Sequence, residues 1–455
     1  MTRVDRCLAI LIASLACAAA HANDVTVELL RFGVGSHVRP GDPTGILVRL
    51  TSNLQEPAQT RVQWELKNAD GDTALYSRDI PLAPGSPTER WLYGVLPINS
   101  SSALAALDMV TVVRVLQMDN GRVLRELAVA RLIGTAAAEQ PSPVEVNEGL
   151  IGVLGDGRAG LAPLSPVPGL GSSDGVPSMN EVTRVARGIQ AGSLPDHWEG
   201  LASYSTLIWG NAPQQNLGPE QARALMDWIR RGGHLVILLP DSGDPWGVLA
   251  GRGGRTPLAE VLPAGGVTRH EGILVKDLMP LISRTPELRN PTARTTLWTF
   301  DVDAAQGGYQ PVMAMPCAVD ARTGNLTPQE GTLQGATIAI RRLMSFGAVT
   351  VVGIDADGLD RRALNSDGLP QTDIFWNRLI GRRADAPSAR EWVEIDKAKR
   401  RVPLSLISEL SADGGRLIGG EIGMRGAAAI GVLGLVVAFG AYWLLAGPGS
   451  FYTLR

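Results

Sequence analysis

The chain has 455 residues, more than one ordinary hydrophobic core accommodates, so its length implies two or three domains. A formal net charge of -3 with 19% charged residues excludes a protein that grips nucleic acid by bulk electrostatics. The 53 glycines and 30 prolines, against 5% aromatic residues, point to many turns.

Arg3 and Arg6 precede the apolar run CLAILIASLACAAA, which closes on Ala20-His21-Ala22, an A-x-A cleavage pattern. Residues 1–22 are therefore expected to be a signal peptide, with the mature chain beginning at Asn23 on the exported side of a membrane. Ser14-Leu15-Ala16 ahead of Cys17 fits a lipobox poorly. Cys7 and Cys17 lie in the removable segment, so Cys317 is the one cysteine left, which excludes an internal disulfide and a multi-cysteine zinc site.

Residues 24–135 carry short β-forming runs, VTVELL, GILVRL, RVQWEL, ERWLYGVL, MVTVVRVL and ELAVARL, separated by turn-rich stretches such as RPGDPTG and APGSP. This spacing predicts an all-β, immunoglobulin-like sandwich. NADGD has neither the ligand spacing nor the terminal Glu of a calcium loop and reads as a hairpin turn. A small, polar stretch broken by Pro141 and Pro143 predicts a linker over 136–148.

From 149 to 388 strand-like and helix-like runs alternate. GLIGVLG, YSTLIWGN, HLVILLP and AVTVVGID read as strands, and SMNEVTRVARGIQ (178–190) as a helix. GPEQARALMDWIRRGG places Ala222, Leu225 and Ile229 at helical spacing, with Pro219 in the first turn and Gly232 as a stop. IFWNRLIG reads as a closing helix, and 251–335 as loops and short strands inserted in the domain. Such alternation predicts a flavodoxin-like α/β domain, a parallel sheet covered by helices. A charged juxtamembrane segment, 389–425, follows. Residues 426–447 then form an uncharged apolar stretch, with Tyr442 and Trp443 near one end, which predicts a single transmembrane helix. Residues 448–455 would be a short cytoplasmic tail.

In a parallel sheet the ligand-binding groups gather at the C-terminal strand ends. That position singles out Asp156, Asn211, Asp241, Ser242 and Asp355 as ligand-binding candidates, with Asp241 and Ser242 also the catalytic candidates. Gly155-Asp156-Gly157-Arg158-Ala159-Gly160 fits G-x-G-x-x-G after a strand. Pro163, Pro166 and Pro168 block the helix a dinucleotide site needs, so the glycines are expected to serve a turn. Asp355, Asp357 and Asp360 cluster at a strand end, in a spacing that matches no calcium loop. His37, His197, His234 and His270 show no i, i+3 or i+4 pairing, so the sequence calls for no metal and no cofactor. Ser242 lies outside a G-x-S-x-G elbow, and a lone cysteine such as Cys317 is more often a small buried hydrophobe than a nucleophile.

YSTLIWGN followed by LGPEQARALMDWIRRGGHLVILLP, FGAVTVVGID followed by FWNRLIG, and the closing YWLLAGPGSFYTLR together resemble a bacterial architecture. That architecture combines a signal peptide, an immunoglobulin-like β domain, a class I glutamine amidotransferase-like domain and a membrane helix. Class I amidotransferases hydrolyse glutamine with a cysteine on a strand-to-helix elbow, and the matching turn here, LPDSG, has none. The resemblance thus implies a non-catalytic ligand- or protein-binding module in the inner membrane, its large part periplasmic. Its implied partners are a small molecule and membrane-complex proteins, in envelope or complex assembly alongside AAA-type ATPases and von Willebrand A-domain proteins. It also implies a chain continuing past Arg455. The competing expectation is an atypical hydrolase using Ser242 or Cys317, which requires a histidine within hydrogen-bond reach.

Overall fold

The computed structural model of the chain describes residues 24–67, 72–97, 111–132, 141–144, 149–157, 159, 161, 183–250, 257–282, 290, 292–319, 326–327, 333–362, 374–380 and 437–443. The expected signal peptide, most of the linker and the juxtamembrane segment lie outside them. Two compact units are present. The larger comprises Met1–Pro168 and Val182–Glu394, and the smaller comprises Gly169–Glu181 and Ile395–Arg455.

The larger unit begins with β1 (Val25–Phe32), β2 (His37–Val38), β3 (Pro43–Ser52), β4 (Ala58–Lys67), β5 (Thr73–Leu82), β6 (Pro87–Val95), β7 (Thr111–Asp119), β8 (Arg122–Leu132) and β9 (Ser142–Pro143). They form a three-stranded sheet, β1-β3-β6, a four-stranded sheet, β5-β4-β7-β8, and the short parallel pair β2-β9. The period-2 pattern of RVQWEL turns Val62, Trp64 and Leu66 inward and leaves Arg61, Gln63 and Glu65 outward. Val25, Ile46, Val48, Leu50 and Leu92 of the first sheet and Val62, Trp64, Ile80, Val113 and Val115 of the second share one buried cluster. Phe32 and Trp64 meet edge to face, ring centroids 6.0 Å apart. The outer face of the second sheet carries ion pairs between neighbouring strands, such as Arg61–Asp79 at 2.7 Å. The β7–β8 turn uses Asn120 and Gly121, both at positive φ, as a two-residue hairpin requires.

The rest of the unit is one large sheet. Its strands are β10 (Gly149–Leu154), β11 (Thr183–Ile189), β12 (Thr206–Trp209), β13 (His234–Leu238), β14 (Val267–Leu274), β15 (Arg294–Phe300) and β16 (Gln310–Ala314), then, after the small pair β17 (Ala318–Val319) and β18 (Leu326–Thr327), β19 (Thr337–Met344) and β20 (Gly347–Val352). The order is β11-β10-β12-β13-β20-β19-β15-β14, with β16 on β19. The pairings from β11 through β20 are parallel. Those of β20 with β19, β19 with β15 and β15 with β14 are antiparallel. The described helices are α1 (Pro219–Arg230), α2 (Val275–Ile282), α3 (Val302–Ala305), α4 (Ala356–Arg362) and α5 (Ile374–Ile380). One apolar cluster lies on each face: Leu207, Leu225, Trp228 and Leu235 on the α1 side, Ile208, Val236, Phe375 and Trp376 on the α5 side.

This architecture corrects the expected fold class. The chain is not a flavodoxin-like α/β domain. Its described residues are mostly strand, the sheet is mixed, and several connections run through short 3-10 turns rather than covering helices. Two local expectations change with it. Residues 183–189, read as helix, are β11, because Val185 and Ile189 fit the parallel edge beside β10. Residues 251–335, read as loops and short strands inserted in the domain, supply β14, β15 and β16, which belong to the large sheet itself. The expected transmembrane helix over 426–447 is also overturned: among the described residues no helix is long and apolar enough to cross a membrane. The described part, 437–443, is helical. The other residues of that stretch lie outside the described ones.

The N-terminal sheets dock on the β11 side of the large sheet. Val34, Trp91 and Val144 enter the same cluster as Leu150, Ala186 and Tyr204. The buried Tyr204 hydroxyl donates to the Val34 carbonyl at 2.6 Å. Arg78 of β5 donates to both carboxylate oxygens of Asp196, at 3.0 and 2.7 Å. Tyr93 of β6 donates to the same carboxylate at 2.6 Å and accepts from the backbone amides of Asp196 and His197 at 3.0 and 3.2 Å.

Candidate functional site

Four parallel strands deliver their C-terminal ends to one edge of the sheet. β10 ends in Gly155-Asp156-Gly157, β12 in Gly210-Asn211, β13 in Pro240-Asp241-Ser242, and β20 runs through Gly353 and Asp355 into α4. Two pairs of the sequence candidates meet there. Asn211 Oδ1 accepts from the Asp156 amide at 3.1 Å, and the Asp241 amide lies 3.4 Å from Asp355 Oδ2. Asp156, Asn211 and Ser242 are exposed, whereas Asp241 and Asp355 are half-buried.

Asp241 is tied to β15. Its Oδ1 accepts from Thr295 Oγ1 at 2.7 Å and from the Thr296 amide at 2.9 Å. Its carbonyl accepts from Thr296 Oγ1 and from an Arg269 guanidinium nitrogen, both at 2.8 Å. Trp298 Nε1 donates to the Pro240 carbonyl at 2.9 Å, so three near-consecutive residues of one strand fasten this turn. Asp355 caps α4: its Oδ1 accepts from the Gly358 amide at 2.8 Å, satisfying one of the donors a helix start leaves open.

The centre of the edge is Asp357, which position alone did not single out. It is 2% exposed, and its Oδ1 accepts a short hydrogen bond from the Ala159 amide. Gly157 of the G-x-G run and Gly210 just past β12 make room for it. A Cβ on Gly157 would sit 2.2 Å from the Asp357 carboxyl carbon, one on Gly210 2.6 Å from its Oδ2, and one on Gly155 2.1 Å from Asn211 Oδ1. Gly155 also has φ +102, which other residues rarely adopt. Gly157 and Gly155 thus permit the close approach of Asp357 and Asn211 from neighbouring strand ends. The signal was present in the sequence as G-x-G at one strand end and D-x-D at another, but nothing local paired them. Gln190, just past β11, completes the rim by donating to Asp156 Oδ1 at 3.1 Å.

Two of the histidines face threonine hydroxyls elsewhere in the sheet. His234 starts β13, at the other end of the strand from Ser242, so that roughly 13 Å of extended chain from His234 to Leu238 lies between them, with Nε2 2.7 Å from Thr350 Oγ1. His270 Nε2 lies 2.9 Å from Thr299 Oγ1, and strand alternation sets it on the face of β14 opposite Arg269, the residue that reaches Asp241. Cys317, between β16 and β17, is a partly exposed free thiol. Among the described residues no three His, Cys, Asp or Glu side chains are grouped to hold a metal ion. The edge is thus rich in hydrogen-bond acceptors, with an exposed rim of Asp156, Asn211, Gln190 and Ser242 over a fastened floor.

No family model matches the chain, and no curated protein matches it. Among solved structures, an alkylpurine DNA glycosylase AlkC of Pseudomonas fluorescens, bound to DNA containing an abasic site analog, shares 18% identity over 26% of this chain and 32% of its own, with a TM-score of 0.17. A putative beta-galactosidase from Bacteroides fragilis shares 11% identity over 48% of this chain and 38% of its own, TM-score 0.17. A cycloisomaltooligosaccharide glucanotransferase of Paenibacillus sp., complexed with cycloisomaltoheptaose, shares 10% over 46% and 27%, TM-score 0.16. The chain spans about a third of the length of these proteins, and likenesses this slight carry no argument about fold or activity.

Proposed function

We propose that this chain is an exported, non-catalytic binding module that holds a small molecule or a protein segment at the strand-end edge, in the assembly or upkeep of the cell envelope. The observation that carries the reading is the contrast between floor and rim. Asp241, Asp355 and Asp357 are bound into the fold, while Asp156, Asn211, Gln190 and Ser242 stand at the surface above them. Such a rim offers carboxylate, amide and hydroxyl groups for orienting a polar ligand. The A-x-A pattern at Ala20-His21-Ala22 supports export.

Thermal shift of the purified protein against glutamine and related amides, divalent metals, nucleotides and envelope sugars tests the reading, with hydrolysis assayed on every hit. A melting-temperature rise that Asp156→Ala or Asn211→Ala removes is the expected result. Turnover abolished by Ser242→Ala or Cys317→Ala would establish the hydrolase instead.

A further inference from the structure

Residues 190–198 connect two places that are distant in the sequence, the surface of the N-terminal sheets and the rim of the strand-end edge. At one end of this strap Gln190 donates to Asp156, and the last residue of β11, Ile189, accepts from the Gly155 amide at 2.9 Å. At the other end Asp196 takes three donors, two from Arg78 and one from Tyr93. Between them Arg31 of β1 donates to Ser193 Oγ at 3.0 Å. Gln221 of α1 donates to the carbonyls of Gly192 and Leu194 at 2.9 and 2.8 Å, which ties the middle of the strap to the first full helix. Leu194 and Pro195 are buried, and a Cβ on Gly200 would come within 2.6 Å of Pro195 and 3.0 Å of the Tyr93 ring.

We infer that this strap mechanically couples the N-terminal sheets to the strand-end edge, so that the Arg78–Tyr93–Asp196 latch sets how firmly the Gly155–Asp156 turn is held. The strap's own residues favour this arrangement. Its backbone runs through 3-10 turns at Ala191–Ser193 and Trp198–Leu201, which place few hydrogen bonds within the segment and leave it dependent on outside partners. A short segment tied at its ends and middle, with Ala191 and Leu194 packed into the buried cluster, moves as a piece when one holder is released, because the packed residues transmit the shift. Anything that engages the N-terminal sheets at β5 and β6 then alters the order of the rim, and a ligand on the rim alters the latch by the same free energy. This inference rests on the edge being a binding site only for its use, not for its existence.

Amide hydrogen exchange of the full chain tests it without a ligand. Asp196→Asn is expected to raise exchange at the Gly155 and Asp156 amides by about tenfold, and Tyr93→Phe, which removes only a hydroxyl, by about threefold. The β13 amides should stay unchanged in both. Arg61→Met, which breaks an ion pair on the far face of the N-terminal sheets, should leave Gly155 and Asp156 at the wild-type rate. Faster exchange confined to residues 194–198 would overturn the coupling. So would a uniform rise that includes β13, since that reports general loss of stability. A flat ligand panel would sink the binding reading while leaving this one intact, and the converse also holds.

Discussion

The Arg78 guanidinium and the Asp196 carboxylate form a two-point ion pair, at 3.0 and 2.7 Å, between the N-terminal sheets and the large sheet. Their side chains are 27% and 13% exposed, so the pair is only partly screened by water. Burial pushes the Asp196 carboxyl up, but the hydrogen bonds from Arg78 and Tyr93 and the Arg78 charge outweigh it and hold the group below the usual carboxylate value. For Arg78 burial likewise opposes the charge, and the Asp196 hydrogen bond and charge outweigh it. Burial, reinforced by the Asp196 carboxylate, keeps the Tyr93 phenol protonated far above its ordinary range.

Removing one partner strands the other in a half-dry interface. Arg78→Met or Asp196→Asn is expected to cost about 2–3 kcal/mol, discounted from the 3–5 of a fully buried pair because water still reaches both groups. Urea unfolding followed by fluorescence measures it, and a change under half a kcal/mol would reassign the pair to the surface class.

The same pair gives a pH dependence. The folded Asp196 carboxyl binds protons less readily than the unfolded one, so its contribution is full above the ordinary carboxylate value of 3.8 and is lost as pH falls through the lower folded value. Wild type and Asp196→Asn should therefore differ in melting temperature at pH 7, and the gap should narrow as pH falls below 3.8. A gap that stays constant as pH falls through the carboxylate range would contradict the assignment.

Gly157→Ala forces a methyl into the space of the Asp357 carboxyl. We expect about 2–3 kcal/mol of destabilisation, as for overpacked interior sites. Asp357→Ala alone leaves the buried Ala159 amide without its acceptor and should cost about 1–3 kcal/mol. The double variant should cost less than the sum, because the second change vacates the space the first one needs. Strict additivity in a double-mutant cycle would show that the two positions are not in contact.

Arg341 secures the closing helix. Its guanidinium donates to the Leu379 carbonyl at 2.6 Å, near the C-terminal end of α5, and to Thr350 Oγ1 at 3.0 Å. Burial alone pulls its pKa down. Arg341→Met should loosen α5 by about 1–2 kcal/mol, the combined worth of those hydrogen bonds and a cation at a helix C-terminus. Faster amide exchange over 375–380 checks this, with β12 as the reference.

Asp241 and Ser242 are neighbours with different fates. Asp241→Ala takes the acceptor from Thr295 and the Thr296 amide and should cost about 1.5–3 kcal/mol, as for hydrogen bonds to a charged group. Ser242→Ala, at an exposed position, should stay within about half a kcal/mol. Thermal melts of the two variants side by side distinguish a fastened floor from an open rim.

Much of the local structure is written in the chain itself. RVQWEL alternates because one face of its strand meets Trp64's cluster, and HLVILLP is uniformly apolar because both faces of β13 are covered. Pro219 at the first turn and Gly232 just past the end delimit α1, since the first lacks a donor the helix start does not need and the second tolerates φ +120. What needed the tertiary structure were choices made by neighbours. Thr183–Ile189 is a strand because β10 offers it an edge to pair with, and the helix-like spacing of its apolar residues could not reveal that partner. β14 and β15 extend the sheet through hydrogen bonds to each other and to β19, which Gly- and Pro-rich flanks hide. Position along the strands was enough to gather Asp156, Asn211, Asp241, Ser242 and Asp355 at one edge. The roles of Asp357 and Asp196 depend on atoms 198 and 118 residues away in the chain, from Ala159 and Arg78. Periodicity and turn chemistry act over a few residues and so determine elements. Burial and charge pairing act through space, so only the folded chain decides which of those elements meet.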